Sequence, residues 1–146
     1  YNGTTLLGSV QASGTGAWSY TPTALTNGTT YTFRVDATDA AGNTSGYSAS
    51  RTITIDTAPP GAPVITSVMD NEGTVTGDIA NGGTTDDTTP TLNGTAEANS
   101  IVRVYNGTTL LGSVQASGTG AWSYTPTALT NGTTYTFRVD ATDAAG

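Results

Sequence analysis

YNGTTLLGSVQASGTGAWSYTPTALTNGTTYTFRVDATDAAG, residues Tyr1–Gly42, is the stretch that decides the fold, because it returns letter for letter at Tyr105–Gly146. The offset between the two copies is 104 residues. Self-similarity at a fixed period is the signature of a repeat array. A period of 104 residues is too long for a solenoid turn and fits one self-sufficient domain per repeat. The sequence therefore reads as a window of about 1.4 periods from a tandem array of near-identical domains. The function to be expected is one that needs many copies.

Inside the repeated stretch the residues alternate as strands do and break where turns are needed. Thr4–Val10 follows the turn Asn2-Gly3, and Ser13–Gly16 leads into Ala17–Thr21, with Trp18 and Tyr20 on one side. Asn27-Gly28 is a turn dipeptide because both residues tolerate positive φ. It introduces the longest expected strand, Thr30–Thr38. There Tyr31, Phe33, Val35 and Ala37 face one way while Thr32, Arg34, Asp36 and Thr38 face the other. One buried and one solvated face is the pattern of an antiparallel sandwich.

Working outward, Arg51–Ile55 is the next strand and Asp56–Pro63 the linker, stiffened by Pro59, Pro60 and Pro63. Strands follow at Val64–Met69, Thr91–Thr95 and Ser100–Tyr105, with a Gly- and carboxylate-rich meander over Asp70–Pro90. The copied strands then fall at 108–114, 121–125 and 133–142. About seven short strands per repeat predict an all-β fold, an immunoglobulin-like antiparallel β-sandwich. Trp122, Tyr135 and Phe137 are its expected inter-sheet core. Residues 1–59 are the C-terminal part of one repeat and 60–146 the next repeat without its final strand. Arg51–Ile55 is not expected to fold back as that strand. The six residues 57–62 reach about 20 Å, whereas a strand of about eight residues spans roughly 26 Å.

Composition excludes several functions. Eleven carboxylates face four basic residues, all arginine (Arg34, Arg51, Arg103, Arg138), for a net charge of −7. A phosphate backbone needs a basic patch, so nucleic acid is not a partner. No apolar run approaches the roughly 20 residues of a membrane span, so membrane insertion is not expected. With no His and no Cys, neither general-base catalysis nor a zinc site finds its usual groups, and the chain is not expected to be an enzyme.

The acids are grouped. Threaded on the strand order, Glu97 and Asp143 (whose copy is Asp39) gather at one end of a repeat, where Asp56 of the preceding repeat arrives. Asp70, Asp86 and Asp87 gather at the other end. Clustered carboxylates beside Gly- and Asn-rich loops suit Ca²⁺, which takes six to eight oxygens. The alternative is that they are solvated loop acids making Asx-turns. Asp36 and Asp140 lie on the wet face of a strand, where Arg34 or Arg103 is a cross-strand partner.

Six motifs stand in order: Asp56-Thr57-Ala58-Pro59-Pro60, Asp70-Asn71-Glu72-Gly73, Thr85–Pro90, Gly94-Thr95-Ala96-Glu97, Gly120-Ala121-Trp122 and Asp143–Gly146. Together they resemble the bacterial immunoglobulin-like repeats of giant RTX adhesins and biofilm-associated proteins, including the extender regions of ice-binding RTX adhesins. The resemblance implies calcium bound within and between repeats by Asp39, Asp56, Asp70, Asp86, Asp87, Glu97 and Asp143. It further implies contact with neighbouring identical repeats in the same chain, type I secretion, and an extracellular place on the bacterial cell surface. The function it implies is that of a calcium-stiffened extender projecting a distal adhesive domain. The alternative from the residues alone is a carbohydrate- or protein-binding sandwich repeated for avidity.

Overall fold

Two short strands, β1 (Thr30–Phe33) and β2 (Arg51–Thr54), pair antiparallel and are the regular structure of Tyr1–Ala58. That segment is the first of two units in the computed structural model, which describes all 146 residues; the second is Pro59–Gly146. The second unit holds β3 (Val64–Asp70), β4 (Gly77–Asp78), β5 (Thr91–Thr95), β6 (Ile101–Asn106), β7 (Thr109–Gln115), β8 (Ala121–Tyr124) and β9 (Phe137–Thr142). There is no helix, every ladder is antiparallel, and the strands form two sheets ordered β4-β3-β5-β8 and β7-β6-β9. This is an immunoglobulin-like β-sandwich.

Its core comes from alternating positions on facing sheets. Leu92 on β5 and Val102 and Val104 on β6 have no exposed surface, and Ala116 and Trp122 close the cluster. Leu111, Val114, Phe137 and Val139 pack around them. Between the two buried valines, Arg103 points outward, as period-two geometry demands. Gly94 sits opposite Trp122 in the ladder, and a Cβ there would overlap the Val64 carbonyl oxygen and the Trp122 ring. Absence of a side chain at Gly94 is what lets the indole lie against the sheet.

The two copies of one sequence are not strands in the same places. Thr4–Val10 and Ala17–Thr21, expected as strands, form none in the first unit, while their copies are β7 and β8. Of Thr30–Thr38 only Thr30–Phe33 is a strand; of 133–142 only Phe137–Thr142 is. The cause is pairing. Thr30–Phe33 lies beside Arg51–Thr54, and Phe137–Thr142 lies beside β6. A strand needs a hydrogen-bonded neighbour, and each copy is extended where one is present. Arg51–Thr54 pairs with β1. Tyr135 is also not core: it stacks on Phe137 at 6.1 Å, and its hydroxyl oxygen accepts from Thr130 N–H at 2.9 Å. The core partners sequence reading passed over are Leu92, Val102, Val104 and Ala116. Within the Asp70–Pro90 meander, Gly77–Asp78 pairs with Met69–Asp70 as a short edge strand.

Candidate functional site

Asp70 ends β3, and the antiparallel pairing of Met69 with Thr91 brings the Thr85–Pro90 loop beside it. Asp70 is 7% exposed and Asp87 only 4%. Asp70 Oδ1 accepts from Glu72 N–H at 2.9 Å, and Oδ2 accepts from the Thr85 hydroxyl at 2.5 Å. Asp87 Oδ2 accepts from Asn71 N–H at 3.0 Å, and Oδ1 from Thr89 N–H at 2.7 Å and the Thr89 hydroxyl at 3.3 Å. Thr85 Oγ1 also accepts from Asp87 N–H at 3.0 Å, so one hydroxyl ties the two acids together. Sequence reasoning named the acids and missed Thr85. Its signal was the Ser/Thr-turn spacing of Thr85 before Asp87. Asp86, between them, lies against Gly73, whose φ of 67° needs glycine.

The other predicted acids cap their own turns. Asp39 Oδ1 accepts from Ala41 and Asn43 N–H, both at 2.9 Å, and Oδ2 from the Asn43 side-chain amide at 2.9 Å. Its copy Asp143 accepts from Ala145 N–H at 2.8 Å and Gly146 N–H at 2.9 Å. Asp56 accepts from Ala58 N–H at 3.1 Å. Glu97 Oε2 accepts from Gly61 N–H at 3.4 Å, and its carbonyl accepts from the buried Ser100 hydroxyl at 2.7 Å. In the second unit the expected grouping by ends is present. Glu97 and Asp143 flank the paired ends Ile101 and Thr142, and Asp70, Asp86 and Asp87 share the opposite loops. All are oxygen donors, as a hard cation requires, yet nowhere do three acidic side chains converge as a metal site. Apart from Asp86, these acids are seen holding loops through hydrogen bonds, mostly to the main chain.

Those bonds have a pH signature. The Asn71 N–H, followed by that of Thr89, holds the Asp87 carboxyl below the usual carboxylate range; the Asn43 side-chain amide does the same for Asp39. A carboxyl depressed in the folded state stabilises the fold at pH above its unfolded value, about 3.9. That contribution is lost as pH falls through the folded value. Stability of the second unit is therefore expected to be flat from about pH 7 to 5 and to drop below about pH 4. Asp87→Asn should flatten the acid limb in urea titrations followed across pH.

On the outer face of β6, Arg103 makes the expected cross-strand pair. Its Nε and Nη2 donate to the two oxygens of Asp140 at 2.7 and 3.1 Å, and the Tyr105 hydroxyl donates to Asp140 at 3.1 Å. Both charged side chains are nearly half exposed, 44% and 48%. Arg103→Ala is thus expected to leave the midpoint of chemical denaturation close to that of the unsubstituted chain.

No helix of the chain is long and apolar enough to cross a membrane. Two curated relatives align along the whole chain. Exoglucanase B of Cellulomonas fimi is 36% identical over 151 residues, and Chitinase A1 of Niallia circulans is 40% identical over 153. The chain spans 12% and 19% of their lengths, so it matches a small part of each. No solved structure matches the chain. The family model described as a bacterial Ig-like domain matches residues 1–57 and again 62–146, one match to each unit. With two matched segments, an antiparallel sandwich and an exact internal copy, the chain belongs to the bacterial Ig-like domain family.

Proposed function

We propose that the chain is a non-catalytic spacer of a larger extracellular bacterial protein, repeated so that its number of copies sets a distance. The observation that carries this reading is the letter-for-letter copy at an offset of 104 residues in a domain whose polar residues are used on its own loops. A spacer needs a fold that repeats and turns that hold, and it needs no exposed reactive group. The two relatives support the same reading, since a segment like this one occupies a minor part of proteins named for an exoglucanase and a chitinase. The binding-module alternative wants exposed aromatics in a concave patch: Trp122 is core in the second unit, whereas Trp18, Tyr20 and Tyr47 are exposed in the first. Retention on cellulose and chitin tests the difference: the spacer reading expects none, and saturable retention would replace it with the binding module.

The finer form of the proposal is an extender of a cell-surface adhesin stiffened by calcium. The loops of Asp70, Asp86 and Asp87 are the best place for the ion, because two of these carboxylates are almost fully buried and all belong to one end of the sandwich. Loop carbonyl oxygens would complete the set. At the millimolar calcium typical of extracellular modules, occupancy of tenfold the dissociation constant stabilises by about 1.4 kcal/mol. The expected result is a melting temperature several degrees higher in calcium than in EDTA, abolished by Asp70→Asn with Asp87→Asn. Equal melting in both would remove calcium from the proposal and leave the spacer.

A further inference from the structure

The chain holds six Asn-Gly pairs, beginning at Asn2, Asn27, Asn81, Asn93, Asn106 and Asn131. Asparagine is a thermolabile residue. Before glycine it is least hindered toward one reaction, attack of the next main-chain nitrogen on the side-chain amide carbon, because glycine has no Cβ to crowd the approach. The reaction asks two things of the fold. The Gly N–H must not be held in a hydrogen bond, and the Asn amide must be free to swing onto it.

Most of the pairs fail on both counts. Gly3 N–H donates to the Thr32 carbonyl at 3.0 Å, and Asn2 Oδ1 accepts from Thr32 N–H at 2.9 Å. Their copies Gly107 and Asn106 are held in the same way by Thr136, both at 2.9 Å. Gly28 N–H donates to the Ile55 carbonyl at 2.8 Å, and Asn27 Oδ1 accepts from Thr57 N–H at 2.7 Å. Asn131-Gly132 is the copy of that pair, so in a full repeat the counterparts of Ile55 and Thr57 hold it too. Asn93-Gly94 lies in β5 between β3 and β8, with Gly94 buried and the Asn93 amide donating to the Ser67 hydroxyl at 3.3 Å.

Asn81-Gly82 is different. The two are the central residues of a turn closed by Gly83 N–H donating to the Ala80 carbonyl at 2.8 Å, with Gly82 at φ 81°. Both are exposed, and neither the Asn81 amide nor the Gly82 N–H is held by another group of the chain. The turn lies inside the second unit, between β4 and Thr85, whose hydroxyl is fixed on Asp70. We propose that Asn81-Gly82 is a site of spontaneous modification, at which the chain deamidates with water as the one co-reactant. The Gly82 nitrogen bonds to Asn81 Cγ and gives up its proton, the Cγ–Nδ2 bond breaks, and ammonia leaves with that proton. Water then opens the cyclic imide. Cleavage at Cγ gives aspartate, and cleavage at the main-chain carbonyl gives isoaspartate, which reroutes the turn through the former side chain. Nothing is oxidised or reduced, and the new carboxylate adds one negative charge to a chain of net charge −7.

The test is incubation of the 146-residue chain in mildly alkaline buffer, folded and in urea, followed by cleavage after arginine and mass spectrometry of each Asn-Gly site. In the folded chain Asn81 is expected to convert at least about tenfold faster than Asn2, Asn27, Asn93 and Asn106, where hydrogen bonds must open first. Labelling by an isoaspartate methyltransferase should fall on residue 81, and isoelectric focusing should show one acidic step. In urea these five sites should converge, since a glycine follows each. Gly82→Ala, whose added Cβ meets nothing within 4 Å, should slow conversion at Asn81 and leave the other sites unchanged. Two results would overturn the proposal. One is an Asn81 that converts no faster than the held pairs in the folded chain. The other is a lead for Asn81 that is equally large in urea, which would make it a property of local sequence and not of the fold.

Discussion

Trp122→Ala is expected to unfold most of the second unit's margin, while Trp18→Ala, the same substitution in the same forty-two-residue context, leaves stability almost unchanged. Trp122 lies in the cluster of Leu92, Val102 and Val104 at 4% exposure, and truncating a buried aromatic costs about 3–5 kcal/mol. For a domain whose whole stability is about 5–15 kcal/mol, that is a large share. Trp18 is 55% exposed, and a surface change of this kind stays within about 0.5 kcal/mol. Urea unfolding of the two variants, followed by circular dichroism, checks the contrast. Equal losses would mean that the two copies are buried alike.

Gly94→Ala is the second large effect, and it runs against the usual rule. In a strand interior alanine is ordinarily the better residue by about 0.5–1 kcal/mol. At Gly94 the added carbon would overlap the Val64 carbonyl oxygen and Trp122 Cζ2 and stand 2.5 Å from Trp122 Cε2. The carbonyl belongs to β3 and the ring to the core, so relief requires opening the β3–β5 ladder or turning the indole out. The expected cost is about 3 kcal/mol, the upper part of the range for overpacking. Gly61→Ala serves as the control, because nothing lies within 4 Å of its Cβ position. Calorimetric melting should separate the two by many degrees, and a neutral Gly94→Ala would contradict the packing described.

The repeat separates what local sequence dictates from what partners dictate. Features that occur in both copies are local. Tyr20 and Tyr124 hydroxyls donate to the Leu7 and Leu111 carbonyls at 2.6 and 2.8 Å, and Ser13 and Ser117 N–H donate to Ala17 and Ala121 carbonyls at 2.8 Å in both. The Asn-Gly turns with positive φ at Gly28 and Gly132 are likewise shared. Of these, the turns at Ser13–Gly16 and Asn27-Gly28 were legible from residue types, whereas the burial of Val102 and Val104 was not named. Strand extents were not legible, because hydrogen-bonding neighbours far along the chain decide them. Leu92, two residues after Pro90 in a short Thr- and Gly-containing run, carried no strong core signal of its own. At the candidate site the grouping of acids by ends could be read from strand directions. Their capture by Asn71, Thr85 and Thr89 depends on where two loops meet, and alternation along a strand cannot show that.

The central claim is that repetition of this fold sets length. Small-angle scattering from chains of two and four full 104-residue repeats, in calcium and in EDTA, tests it most directly. The spacer account predicts that the maximum dimension grows linearly, by roughly 40 Å per repeat from a strand length plus a linker. The calcium-stiffened form further predicts that EDTA turns rod-like curves into those of a flexible chain. A four-repeat chain no longer than the two-repeat chain, collapsed by contacts between domains, would contradict the account.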